Sequence, residues 1–184
     1  MNEVSKLSEL ENIYQQALSS TLVKASALGR IDLVVGIPFL SRIEETQIVL
    51  SVLEAGLDTF YPDLNGLIIC AVSPAFSATD AFGSCRFVRE DRVVITQLDN
   101  GLTGRGWAVR SLMDLAHRLD ADLLILDPRL LTTRDSDEPV GLTPDWIKLM
   151  YQPIRDGHAA FVLPRFKLSH LTNTVSDHLA FPLL

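Results

Sequence analysis

Asp127-Pro128-Arg129 closes the apolar run Asp122-Leu123-Leu124-Ile125-Leu126. An acid at the carboxyl end of a buried strand stands where open α/β sheets bind their ligands. A carboxylate there can accept hydrogen bonds or chelate a hard cation. Earlier in the chain Gly101, Gly104 and Gly106 fall within one loop, with Arg105 between the last two, directly before an apolar helical face. By itself such a loop is more often a turn than a ligand cradle. The run Arg134-Asp135-Ser136-Asp137-Glu138 offers Asp135 and Asp137 as partners for Asp127 in a metal site, but charged loops rarely converge on one point, and a solvated loop is the better reading. His117, His158, His170 and His178 show no metal-ligand spacing and read as surface or capping residues.

These groups need elements to hold them. Over residues 5–28, Leu7, Leu10, Tyr14, Ala17 and Leu18 recur at helical spacing, with Ser8 and Glu11 in the register of a capping box. The chain is therefore expected to open on an amphipathic helix, whose apolar stripe must be covered by its own domain or by a partner chain. The first arrangement is favoured. Residues 31–37 form a nearly unbroken apolar run ending in Gly36-Ile37-Pro38, which suits a central parallel strand buried on both faces. Ser41 and Glu44 repeat the capping-box spacing before Ile48, Val49, Val52 and Leu53, and Gly56 and Pro62 are read as ending that helix. Residues 67–72, 92–96 and 123–126 read as further strands, and Val109, Leu112, Met113, Ala116 and Leu119 mark the helix between the last two. Thr143-Pro144-Asp145 gives an N-cap, a proline at the first helical position and an acidic first turn for a helix that stops near Gly157, and residues 159–163 read as a last strand. Strands alternating with helices predict an α/β fold with a mostly parallel sheet and right-handed crossovers.

A chain of 184 residues suits one domain with a full core. The expected division is an N-terminal helix over residues 1–30 and a single domain over 31–184. With 47% hydrophobic and 21% charged residues and a formal charge of −7, the chain is not of the disordered class, and its acidity disfavours nucleic acid or an anionic membrane as partner. Of the two cysteines, Cys70 lies within an apolar run and reads as a buried free thiol, not half of a disulfide. The N-terminus has neither a basic n-region nor an apolar h-region, and no stretch approaches the ~18 consecutive apolar residues of a membrane span. A cytoplasmic protein without a membrane span is expected. Residues 164–184 carry Phe166, Leu168, Leu171, Leu179, Phe181, Leu183 and Leu184, many apolar groups for a chain end, so a homo-oligomer or a partner chain is expected to cover them.

Several phrases recur in a fixed order: Asp32-Leu33-Val34-Val35-Gly36-Ile37-Pro38, Ala55-Gly56-Leu57 with Tyr61-Pro62-Asp63-Leu64, Gly104-Arg105-Gly106-Trp107-Ala108, Ala121 to Asp127, Leu142-Thr143-Pro144-Asp145-Trp146-Ile147, and Thr172-Asn173 followed by Phe181-Pro182-Leu183. In these, from about Asp32 onward, the chain resembles the glucosylglycerate and mannosylglycerate synthase-like branch of the GT-A glycosyltransferases. The resemblance implies a Rossmann-like sheet that binds a nucleotide-diphosphate hexose, with the C-terminal acceptor half of the family truncated here.

In that family Asp-x-Asp holds a divalent metal, which neutralises the charge developing on the departing nucleotide diphosphate. Asp127 matches the first acid, and Arg129 stands at the second, where a cation meets like charge; Asp127 alone is a weak metal position, and Mg²⁺ or Mn²⁺ is disfavoured. Arg129 has two readings. Its guanidinium replaces the metal as counter-charge to the diphosphate, or it pairs with Asp127 or the loop acids in a site that has lost its chemistry; the second is favoured because other family positions have drifted. The family's Asp-Gly-Gly-Ser-like turn after the second strand is replaced by Val72-Ser73-Pro74-Ala75, leaving Ser73 as one hydrogen-bonding group. Gly104, Arg105 and Gly106 match a Gly-Lys-Gly phrase whose basic side chain faces phosphate or base, and Pro38 and Phe39 match the cradle of the nucleobase. The implied function is binding of a nucleotide-diphosphate hexose with hexosyl transfer impaired or lost. The alternative is a non-catalytic interaction module derived from a glycosyltransferase. A third option keeps transfer alive without metal, with Arg105 and Arg129 as the positive clamp.

Overall fold

The computed structural model describes residues 3–38, 43–72, 93–97, 105–127 and 142–163. Contacts divide the chain into two compact units, Met1–Leu149 and Met150–Leu184. The strands are β1 (Leu33–Pro38), β2 (Gly66–Val72), β3 (Val93–Gln97) and β4 (Asp122–Ile125), and the helices α1 (Glu3–Ser26), α2 (Ile43–Phe60), α3 (Arg105–Leu119) and α4 (Asp145–Arg155). The described strands form a four-stranded sheet in the order β3-β2-β1-β4, parallel at every junction, so the fold is α/β and compatible with a Rossmann-like arrangement.

β1 occupies an interior place because all six of its residues are buried and its sequence is apolar on both sides of the pleat. Side chains alternate between faces, so register assigns each residue to a layer. Leu123, Val34 and Leu67 are neighbours across three strands and lie in one core with Ile69, Ala71 and the α3 residues Ala108, Leu112, Leu115 and Ala116. Leu124, Val35 and Ile68 form the alternate row and are buried as well. On that second face lies α2, since a Cβ on Gly66 would stand 3.1 Å from Cδ2 of Leu57. Right-handed crossovers that move in opposite directions across a sheet lay their helices on opposite faces, which is the relation of α2, between β1 and β2, to α3, between β3 and β4.

The opening helix covers its stripe on its own unit. Tyr14, Leu18 and Ala25 of α1 are buried in the core that contains α3, and α1 lies over β3 and beside α3. Burial of Leu18 alone contributes about 1.5–3 kcal/mol by its removal from water, more than a typical surface ion pair. The capping box expected at Ser8 and Glu11 does not form, because α1 begins at Glu3 and both residues fall in the helix interior. Glu11 instead accepts from Gln15 and from Arg110 of α3.

Gly56 does not end α2, which continues to Phe60. An added Cβ at Gly56 would lie 2.8 Å from both the Pro144 carbonyl oxygen and Cγ1 of Ile147, so the glycine is where the start of α4 presses against α2. Ser41, the expected cap of α2, lies outside the described residues. The α3 to β4 turn puts Asp120 at φ 53°, with Asp120 N donating to His117 O and Ala121 N to Ala116 O. That paired-bond helix ending normally takes glycine. α4 ends the same way at Gly157 (φ 71°), with Gly157 N bonded to Ile154 O and His158 N to Pro153 O, as the sequence predicts.

Residues 159–163 form no strand, contrary to expectation. An apolar run becomes a strand only where a neighbour takes up its backbone hydrogen bonds. The second unit has no strand among its described residues to do so, and Phe161 and Leu163 are exposed. The other half of the apolar chain end, residues 164–184, lies outside the described residues. Cys70 is buried and not in a disulfide, as expected.

Candidate functional site

The sheet order runs outward from β1 to β2 and β3 and then returns to β4 on the other side of β1. The direction of travel across the sheet thus reverses between β1 and β4, and open α/β sheets bind their ligands at the carboxyl ends of the strands at such a switch point. Their register, Leu33↔Asp122 through Gly36↔Ile125, is carried on by Leu126 N donating to Gly36 O at 3.0 Å. Continued to the strand tips, that register sets Asp127 level with Pro38. Pro38 is buried at the end of β1, and the Asp127 side chain keeps 24% of its surface exposed.

Arg105 opens α3, and its Nη2 donates to Oδ2 of Asp127 at 2.7 Å. One partner of Asp127 is thus the arginine of the glycine loop. Whether Arg129 also reaches it falls outside the described residues, as do Phe39, Ser73, Gly104 and the acidic run 134–138. Of the positions singled out from sequence, the structure brings together Pro38, Arg105, Gly106 and Asp127. The first-turn N–H groups of α3 have no intrahelical acceptor by helix geometry and carry the positive end of its dipole, so this corner favours anions. Gly106 is exposed, and a Cβ there would meet nothing within 4 Å. Its lack of a side chain serves no packing need in the free protein and leaves room for a ligand to approach the backbone.

An ion at Asp127 would share the carboxylate with the Arg105 guanidinium, which already donates to Oδ2, and would sit beside that positive charge. Among the described residues no three His, Cys, Asp or Glu side chains converge. His117 and His158 are exposed at helix ends, in keeping with the surface and capping roles expected of them.

One turn along α3 from Arg105, a second cluster that sequence reasoning missed binds α3 to α1. Arg110 makes two hydrogen bonds of 3.1 Å to the Glu11 carboxylate, and its guanidinium lies 4.3 Å from the centre of the Tyr14 ring and 5.2 Å from that of Trp107. The Tyr14 and Trp107 rings are 5.4 Å apart. The Tyr14 hydroxyl donates to Oδ2 of Asp114 at 2.6 Å. Burial and the neighbouring Asp114 carboxylate push the Tyr14 phenol well above its usual range. Hydrogen bonds from Gln15 and Arg110 hold Glu11 below the usual carboxylate range, and the Glu11 bond in turn raises Arg110. Trp107, Arg110 and Asp114 share one face of α3, and that spacing was the only sequence signal available. Nothing local to it names Glu11 and Tyr14 as partners.

The chain matches no protein-family model, no curated protein and no solved structure.

Proposed function

We propose that the first unit is a glycosyltransferase-like domain that binds a nucleotide-diphosphate hexose at the carboxyl ends of β1 and β4, with hexosyl transfer impaired or lost. The observation that carries this reading is the Arg105–Asp127 pair at the carboxyl ends of β1 and β4, where the strand order reverses. A diphosphate needs a counter-charge, and Arg105, 55% exposed, can keep one N–H on Asp127 while offering the rest of its fork to phosphate oxygens. Pro38 and Phe39 would face the nucleobase, Ser73 would supply one hydrogen bond, and Gly104 and Gly106 would let the backbone come close. Arg129 stands where the resembling family has its second metal-binding acid, so the donor is held without a divalent ion and the leaving diphosphate lacks a Lewis acid. The sugar-nucleotide identity of the ligand comes from the ordered phrases that begin at Asp32.

Calorimetry with UDP-, GDP- and ADP-glucose, with and without Mn²⁺, tests this. One of the three is expected to bind equally well in either condition, and Arg105→Ala should weaken it about ten- to hundredfold, the worth of a charge-assisted hydrogen bond. Failure of all three to bind would remove the ligand assignment.

A second reading, a non-catalytic interaction module, is favoured by a different observation. Phe161 and Leu163 of the second unit are 71% and 60% exposed, and the sequence beyond them remains rich in apolar residues. Such side chains mark a surface for a second copy or another chain. Light scattering that finds a monomer over a wide concentration range would exclude the homodimer.

A further inference from the structure

We infer that α1 is a positioning element of the candidate site: Glu11 and Tyr14, acting through Arg110 and Trp107, fix the first turn of α3 and thereby hold Arg105 against Asp127. This rests on Arg105 being the counter-charge of the donor site, but the position of its side chain can be read without any donor. α1 lies wholly outside the stretch that resembles glycosyltransferases.

The grip is local and directional. Trp107 lies two residues after Arg105, and its ring meets Tyr14. Arg110 is clamped on one side by both Glu11 oxygens and overlain by the Tyr14 and Trp107 rings. Asp114 holds the Tyr14 hydroxyl, so the tyrosine cannot turn away from the stack. Every one of these contacts falls on the N-terminal two-thirds of α3, the part that carries Arg105. Gly106 contributes no side chain to seat this turn, and among the described residues outside its own helix turn nothing would meet a Cβ there within 4 Å. Ala108 is buried but small, so the bulk that seats the turn from one side is Trp107 against α1. A shift of the turn would carry the base of the Arg105 side chain with it and weaken the 2.7 Å contact with Asp127, since hydrogen bonds weaken steeply with distance and angle.

The seam contains its own control. Arg118 donates to Oε1 of Gln15 at 2.7 Å, joining the same two helices near the far end of α3, about 20 Å along the axis from Arg105. Gln15 also donates through its Nε2 to Glu11, and loss of the Arg118 contact leaves that bond and both Arg110 bonds to Glu11 in place, so it should loosen the seam without moving the first turn.

The experiment compares Arg110→Met and Arg118→Ala in the full chain. Two readouts are followed by NMR: the Arg105 side-chain Nε–Hε resonance, and hydrogen exchange of the Val109 to Leu112 amides, which bond to first-turn carbonyls. In Arg110→Met the Arg105 resonance is expected to move to the position of a free arginine, and the four amides to exchange on the order of tenfold faster than in Arg118→Ala. Arg110→Lys, which keeps charge but loses the fork and the flat stack, should rescue only partly. If Arg110→Met does not fold, Tyr14→Phe and Glu11→Gln carry the same comparison. An Arg105 resonance and exchange rates that stay at wild-type values in these variants, with melting lowered no differently from Arg118→Ala, would overturn the inference. Pyrophosphate titration of the wild type separates the two claims: no binding sinks the donor reading, while the Arg105 resonance still decides whether α1 positions it.

Discussion

Arg105 and Asp127 stand 22 residues apart in sequence and meet at 2.7 Å because one begins a crossover helix and the other ends the strand that the helix leads into. As an exposed ion pair it contributes little to folding, about 0–1 kcal/mol. Its arrangement at the sheet's switch point is what makes it a candidate for binding. Gly106 separates the two roles cleanly. Alanine there meets open space and is a better helix former by up to about 1 kcal/mol, so Gly106→Ala should leave stability unchanged or raise it slightly. If a diphosphate approaches that backbone, the same methyl group should reduce donor affinity at least several-fold. Thermal melting and calorimetry on one variant check both, and unaltered affinity would take Gly106 out of the site. The acid at the tip of β4 and the arginine in the glycine loop were each visible in the sequence. Their pairing was not, because Arg129 is a nearer candidate in sequence and only the placement of the start of α3 beside the tip of β4 brings Arg105 to Asp127.

At the scale of elements, strands with continuous apolar character were readable to within a residue or so, as with the expected 67–72 against Gly66–Val72 and 92–96 against Val93–Gln97. Burial on both faces of a parallel sheet leaves a signature that needs no knowledge of partners. Glycines were less legible, since the letter alone does not say whether it breaks an element or lets two elements touch. Gly56 does the second. Gly56→Ala gains helix propensity but drives a methyl to within 2.8 Å of the Pro144 carbonyl oxygen, a backbone atom that cannot step aside. The clash should win, with a net destabilisation of about 1–3 kcal/mol, measurable as a lower urea midpoint. A neutral or stabilising result would mean that α4 does not pack there. The strand expected over 159–163 was misread for the converse reason: its composition suits a strand, but composition supplies no neighbour.

For the first unit as a whole, the α1–α3 seam ties stability to pH through groups that act in opposite ranges. Tyr14 has a folded-state pKa above its unfolded value of about 10. Its contribution is therefore complete below that pH and is lost as pH rises past it, because the unfolded chain releases a proton that the folded chain retains. Glu11 is depressed, so its contribution is present above the ordinary carboxylate range and is lost as pH falls through it. Urea midpoints followed from about pH 8 to about pH 11 should decline for the wild type and decline less for Tyr14→Phe. Parallel curves would assign the alkaline loss to other residues.

The sequence by itself determined the α/β class, the parallel strands, the buried cysteine outside any disulfide and the ending of α4, because each follows from local periodicity, burial or backbone chemistry within a few residues. It also supplied the ordered phrases from which a sugar-nucleotide ligand is proposed. Tertiary structure alone decided that Arg105 is a partner of Asp127, that α1 grips α3 through Glu11, Tyr14, Trp107 and Arg110, and that Gly56 is a contact point instead of a helix stop. Those facts depend on groups distant in the chain arriving at the same place, and strand order with its crossovers, not residue type, brings them there.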